Sequence, residues 1–339
     1  MTMTDVARVA GCSQSTVSFV LNNNASVQVS EATRERVKRV AEELGYEGVP
    51  ATARAETNLV TKNVIAFVVD SLATSWESPA AFMGVRQAAA GTGAVVLAAE
   101  TQNDPSIEPK TLSLLIEQEV EAIIYACVHT REVILPDSLK ATDIPVYLLN
   151  CHSKDNARPA VVPSEIAGGQ RATNVLLDAG HTRIGTITGE SYMEASGDRL
   201  TGYRRALATA DLPFDPGLVI EGDWSASAGF NGTMKLLKLD RTPTAIFCQN
   251  DRMAIGCYEA LKESGYSIPA DMSVVGYDDE EISRHLFPPL TTMNLPHRAM
   301  GRWVVEQHYH PPALRDGPFP VTKLECELVE RNSVAASRR

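Results

Sequence analysis

The stretch TDVARVAGCSQSTVSFVLNN (residues 4–23) holds two short helical patterns on either side of one glycine. Thr4 or Asp5 can cap the first pattern. Its apolar positions Val6, Ala7, Val9 and Ala10 run into Gly11, a residue free to take the left-handed conformation that stops a helix. Ser13 can cap the second pattern, 14–22, before the polar run Asn22–Asn23–Asn24 breaks it. At about 100° per residue, Thr16, Val17, Val20 and Leu21 share one arc of this second helix. Gln14, Ser15, Ser18, Phe19 and Asn22 share the other. The first arc can pack on neighbouring helices. The second is short, uncharged and mostly hydrogen-bonding, which suits base edges and phosphates in a major groove. A plain three-helix mini-domain with a solvated polar face would show the same spacing. Phe19 favours an apolar partner such as a thymine methyl, with a local core position as the other reading.

Working outward, Ser30 caps a third helix whose stripe is Val37, Val40, Ala41 and Leu44, ending at Gly45. Residues 1–46 are therefore expected to form a helix-turn-helix head. Residues 47–63 are polar and aperiodic and read as a linker with one short helix after Pro50. From Val64 the pattern changes to β-α alternation, the mark of parallel sheets. Strands are expected at 64–69, 94–98, 122–125, 146–149, 183–188, 245–248 and 273–277. Helices are expected at 80–91, 109–118, 168–179, 199–210, 226–237 and 252–264. Segments 64–69 and 183–188 both look like first strands, so residues 64–332 read as two similar α/β lobes, with 333–339 as a tail.

The 339 residues are 44% apolar and 22% charged, an ordinary globular composition. Apolar runs such as Val64–Val69 fall far short of the roughly 20 residues of a membrane span, and the N-terminus has no signal-peptide pattern. A cytoplasmic chain without membrane contact is expected. The six cysteines lack CxxC spacing, so reduced thiols and no zinc site are expected. Net charge is −11, yet residues 1–40 hold five basic and three acidic residues, a slightly basic head on an acidic body.

The head, with its TVSFVLN core and its ELGY end, resembles the DNA-binding head of the LacI/GalR family of bacterial repressors. GHTRIG (180–185), DRLTGYRRAL (198–207), EGDWSASAGF (221–230), QNDRMAIG (249–256), SVVGYDD (273–279) and PPLTT (288–292) extend the resemblance over nearly the whole chain. It implies a helix-turn-helix head, a hinge and a two-lobed body like periplasmic binding proteins. It also implies a homodimer on a pseudo-palindromic double-stranded DNA operator. By position, Gln14, Ser15 and Phe19 would read bases, while Thr4, Ser13, Thr16, Ser18 and Asn22 would serve phosphates and helix placement. Phe19 stands where many relatives have Arg, so the guanine contact that Arg makes is not available here. The hinge departs too: Thr57 occupies the usual wedge position, Leu59 lies two residues on, and Arg54 can add a phosphate contact.

In such a body ligands bind outside the carboxyl ends of the strands. Asp70, Trp76, Tyr192, Arg199, Trp224, Asn250 and Asp278 all fall there, with Asp251 expected to cap a helix. Carboxylates, amides and Arg bind hydroxyls, and Trp offers a flat face to a sugar ring. The resemblance favours Arg199, Asn250 and Asp278 as hydroxyl ligands, with Asp70 and Trp224 lining the cleft. Ser164 sits where relatives often have Asp. A small neutral sugar is the expected effector of a carbohydrate-gene repressor, and the carboxylates disfavour an anion. Purine-like ligands stay open, as does a corepressor that strengthens DNA binding. A free sugar-binding protein or an enzyme of the same α/β type is the reading from another class. No nucleophile–base–acid set, phosphate loop or metal pair stands out, and His308 and His310 read as surface residues. No enzyme activity and no cofactor are expected. No apolar heptad follows residue 332, so a dimer is expected rather than a zippered tetramer.

Overall fold

A computed structural model describes residues 3–21, 29–44, 63–72, 77–311 and 317–337. The linker with Arg54, Thr57 and Leu59 lies outside the described residues, as do Asn22 and Trp76. The chain divides into two units, Met1–Lys62 and Asn63–Arg339.

In the first unit, α1 (Met3–Ala10), α2 (Gln14–Leu21) and α3 (Glu31–Glu43) enclose a small core of Val6, Ala7, Val17, Val20, Val37 and Val40. Gly11, with φ +62°, makes the turn between α1 and α2. Ser13 and Ser30 cap as expected: each hydroxyl accepts from the backbone N–H three residues on, at 3.1 and 3.4 Å. Helix α1 starts earlier than expected, at Met3, so Thr4 and Asp5 lie inside its first turn. There Asp5 complements the helix dipole instead of capping. Arg36 on α3 donates to the Ala10 carbonyl at 2.9 Å, satisfying an end of α1.

The second unit holds two parallel sheets. The first has the order β11-β5-β4-β3-β1-β2: β1 (Val64–Val69), β2 (Val95–Glu100), β3 (Ala122–Glu132), β4 (Val146–His152), β5 (Ala160–Pro163) and β11 (Val321–Leu324). The second has the order β7-β6-β8-β9: β6 (Ile184–Thr188), β7 (Val219–Glu221), β8 (Ala245–Cys248) and β9 (Ser273–Val275). Central strands such as β1 and β8 are apolar on both faces because helices cover both sides. Helices α4 (Glu77–Ala89), α5 (Glu108–Glu117), α6 (Asp137–Ala141) and α11 (His297–Tyr309) accompany the first sheet. Helices α7 (Glu165–Asp178), α8 (Glu194–Thr209), α9 (Ala226–Leu237) and α10 (Asp251–Glu263) accompany the second.

The lobes are not two consecutive halves. Met300, Val304 and Val305 of α11 pack in the core of the first lobe, and β11 pairs with β5 there. Met293 and Leu295 before α11, and Cys326 after β11, belong to the core of the second lobe. The chain thus crosses between lobes after Pro163, between Leu295 and His297, and between Leu324 and Cys326. A short antiparallel pair, β10 (Thr292–Asn294) with β12 (Glu327–Val329), lies beside two of these crossings. These three-residue strands carry too little pattern to be read in advance.

The expected tail is a correction. Ser333 is fully buried; its hydroxyl accepts from Thr291 N–H at 2.8 Å and donates to the Val274 carbonyl at 2.6 Å. Ser337 N–H reaches the Ala179 carbonyl. Residues 333–337 are therefore bound along the second lobe. Ser333→Ala should lower unfolding stability by about 1–3 kcal/mol, because it strands two buried backbone groups. Urea denaturation of the full chain checks this, and a midpoint equal to wild type would contradict the tie.

Candidate functional site

The carboxyl ends of both sheets face a cleft that encloses about 630 Å³ when its solvent-filled mouth is counted. Its wall includes Arg199, Trp224, Asn250 and Asp278 among the expected residues, and Glu77, Glu165, Asn150, Met193, Glu280 and His297 among those sequence reasoning missed.

Arg199 is 4% exposed. Its Nε and Nη2 donate to the two carboxylate oxygens of Glu165 at 2.8 and 2.9 Å, and Nη1 donates to the Gln249 carbonyl. The guanidinium lies 3.8 Å over the Tyr277 ring and 5.5 Å from that of Trp224. Burial alone would lower its pKa, but Glu165 more than reverses this, so Arg199 stays charged. The pair forms because α7 and α8 touch through glycines. A Cβ on Gly169 would collide with the Arg199 carbonyl oxygen, and one on Gly202 with that of Ile166. The neighbouring Gly168 instead makes room for the Tyr277 hydroxyl.

Asp278 is 3% exposed and adopts φ +110°, off the end of β9. Its Oδ1 accepts no hydrogen bond and stands 3.6 Å from Arg199 Nη1. Burial pushes its carboxyl well above the usual range, with Arg199 opposing. Strand β9 stops at Val275 rather than 277 because the chain must turn here to aim Asp278 into the cleft.

Trp224 also takes a left-handed φ, +65°. Its indole N–H points to Met193 Sδ at 3.0 Å, and its ring fills the space beside Gly189, where any Cβ would overlap a ring carbon. Asn250, not Asp251, caps α10: its Oδ1 accepts from Met253 N–H at 2.8 Å, while Nδ2 donates to the Trp224 carbonyl at 3.0 Å. Asn250 thus helps hold Trp224 in its strained conformation. Asp251, the first residue of α10, is fully buried. It accepts from Thr292 Oγ1 at 2.6 Å and from Glu280 N–H at 2.9 Å. That clamps the turn carrying Asp278 to crossover strand β10.

Three expected residues are not part of the wall. Asp70 is turned inward, accepting from Ser71 and Val128 N–H and pairing with Arg131 at 3.0 Å, where it braces β1 against the irregular register of β3. Tyr192 is 79% exposed, and the following Met193 lines the cleft in its place. Ser164 stands at the start of α7 without a side-chain capping bond, and the next residue, Glu165, does the pairing. His308 is tied to Glu121 at 3.2 Å and faces Tyr147, so it is partly buried rather than a free surface residue. Among the described residues, no group of three or more His, Cys, Asp or Glu side chains is placed to hold a metal ion.

In the head, Val17 and Val20 turn into the core, and Gln14 and Thr4 are exposed. Ser13 and Thr16 are bonded to each other, hydroxyl to hydroxyl, at 2.8 Å. The side chains of Ser15, Ser18 and Phe19 lie outside the described ones.

Residues 2–48 match the family model described as bacterial regulatory proteins, lacI family, and residues 173–334 match a periplasmic binding protein-like domain. The HTH-type transcriptional repressor PurR of Aliivibrio fischeri (strain MJ11) is 31% identical over 98% of both chains. The chain belongs to the LacI family. The solved complex of the transcriptional regulator CelR with cellobiose is 30% identical, covering 98% of this chain and 99% of that one, with a TM-score of 0.67. The lac repressor dimer bound to operator and the anti-inducer ONPF is 29% identical over 99% of both chains, TM-score 0.67. This LacI-family chain is thus a DNA-binding transcriptional repressor with a ligand-binding body, and its Arg199–Glu165 pair sits in that body's cleft. Among its described residues no helix is long and apolar enough to cross a membrane.

In this LacI-family repressor burial raises the Asp251 carboxyl to about 8, with the Thr292 and Glu280 hydrogen bonds opposing. The folded chain therefore keeps a proton that the unfolded chain loses near pH 4. This contribution to stability is full at low pH and is lost as pH rises towards 8. Asp251→Asn removes the titration, so its stability relative to wild type should rise from pH 5 to pH 8 in urea unfolding. A difference independent of pH would refute this.

Proposed function

We propose that the protein represses carbohydrate-utilisation genes as a homodimer and releases its operator when a small sugar without negative charge binds between the two lobes. The observation that carries this reading is the cleft wall itself: a fixed guanidinium, a buried carboxylate oxygen lacking a donor, and an indole face meet around one cleft. Hydroxyls can donate to Asp278 Oδ1, and Trp224 can cover the apolar face of a ring. The CelR–cellobiose complex supports a sugar, and the lac repressor dimer on its operator supports two heads reading two half-sites. Gln14, Ser15 and Phe19 would read bases, with Thr4, Ser13, Thr16, Ser18 and Asn22 at phosphates and Arg54 and Leu59 in the hinge. Asn250 would serve by holding Trp224, and Trp76 would border the same cleft. Such a repressor works on the chromosome, hence in the cytoplasm.

A sugar that closes the lobes must bind the DNA-released state more tightly, or it shifts nothing. Selection of random duplexes on the purified protein should enrich a two-fold symmetric site with half-sites about one helical turn apart. No symmetric enrichment would defeat the operator reading. Arg199→Ala should keep operator affinity and raise the sugar dose for release about a hundredfold, since charge-assisted hydrogen bonds are lost. Release at the wild-type dose would remove Arg199 from the effector site; a melting curve of the variant checks that it is folded.

A further inference from the structure

We propose that the effector carries a protonated amine among its hydroxyls, as an amino sugar does. This rests on the sugar reading above and narrows it, in place of the neutral sugar expected from sequence. The charge balance of the cleft carries it. Among the described residues, Glu77, Glu165, Asp278 and Glu280 line the space against two arginines, Arg199 and Arg252. Arg199 is largely committed, and Arg252 is paired with one of the four acids. Arg199 gives two donors to Glu165, and Arg252 Nε donates to Glu280 at 3.0 Å. Asp278 reaches Arg199 at 3.6 Å without a hydrogen bond to Oδ1, and Glu77 Oε2 is likewise buried without a donor.

The two unmatched oxygens belong to different lobes. Glu77 opens α4 of the first, and Asp278 follows β9 of the second. A buried carboxylate oxygen that has lost water needs a donor; burial drives Asp278 towards its neutral acid, and a cation placed by both oxygens is what lets the two acids stay ionised together. A hydroxyl donates a proton but brings no charge. A bare metal ion does not fit, since the described acids and histidines form no ligating group and Arg199 and Arg252 border the same space. An organic ammonium fits: the amine meets Glu77 and Asp278, hydroxyls meet the Arg199 region, and the Trp224 face covers the ring. Carboxylate or phosphate on the ligand would add to the surplus of negative charge. Because the acceptors come from opposite lobes, a cation between them also cancels their mutual repulsion as the lobes approach. The ligand's charge and the closure of the cleft are thereby one event.

The test is a thermal-shift screen of the full chain, followed by titration calorimetry. The probes are aldohexoses and aldopentoses, each as the neutral, 2-amino, N-acetylamino, uronic acid and phosphate form. The expected result is an amine bound at least tenfold more tightly than both its neutral parent and its N-acetyl form. In Glu77→Gln that ratio should fall towards one. A neutral or N-acetyl sugar bound as tightly as the amine overturns the ammonium assignment and leaves the sugar reading standing. A tight uronic acid or phosphate does the same. Stabilisation by none of the amines overturns the assignment too. A purine base that stabilises the chain while no sugar does overturns both readings.

Discussion

Arg199 is held in the cleft above all by Glu165, which meets it with both carboxylate oxygens. A guanidinium this deep loses most of its hydration, and removing one partner of such a pair strands the other at a cost of about 3–5 kcal/mol. Much of the second lobe is shaped by that requirement. Helices α7 and α8 must approach closely enough to bring the two groups together, which is why Gly169 and Gly202 stand where any Cβ would collide with the other helix, while Gly168 leaves room for the Tyr277 hydroxyl. Tyr277 must lie flat beneath the guanidinium, and the chain after it must turn at once to present Asp278.

That turn and the one at Trp224 place bulky or charged residues in left-handed backbone conformations after the two edge strands of the second sheet, β9 and β7. Such conformations persist where surrounding bonds over-determine them, and they concentrate at functional sites. Here the bonds are explicit. Asn250 holds the Trp224 carbonyl, and Asp251 holds Glu280 N–H while reaching Thr292 on a strand that leads across to the other lobe. The two consecutive residues beginning α10 thus fix both walls of the second lobe's share of the cleft. The link to β10 gives a change at Asp278 a short mechanical route to a crossover.

Much of this was legible in residues 4–23 and in the alternation beyond Val64. In α2, Val17 and Val20 of the apolar arc are buried and Gln14 of the other arc is exposed, and the central strands announce themselves as apolar runs. Arg199, Trp224, Asn250 and Asp278 are found by inspecting the residues just beyond the carboxyl end of each strand. Glu165 and Glu77 could not be found that way, because they stand at helix starts and the contact that gives Glu165 its role depends on glycines some thirty residues apart in the chain. Asp70 comes after a strand as the others do, yet the bulge in β3 brings Arg131 and Val128 N–H to it, a long-range event with no local signature. The discontinuous lobes escaped for the same reason: β10, β11 and β12 are defined by their partners, with too few residues to show a period.

The late return of the chain to both lobes bears on how the protein is made. Strand β11 completes the first sheet, β12 pairs with β10 beside it, and residues 333–337 bind along the second lobe, so neither lobe can close before these residues are made. The head has no such dependence, since its core is drawn entirely from α1, α2, α3 and the residues flanking them. A nascent chain therefore displays a finished reading head on an unfinished body, and domains fold as their residues emerge.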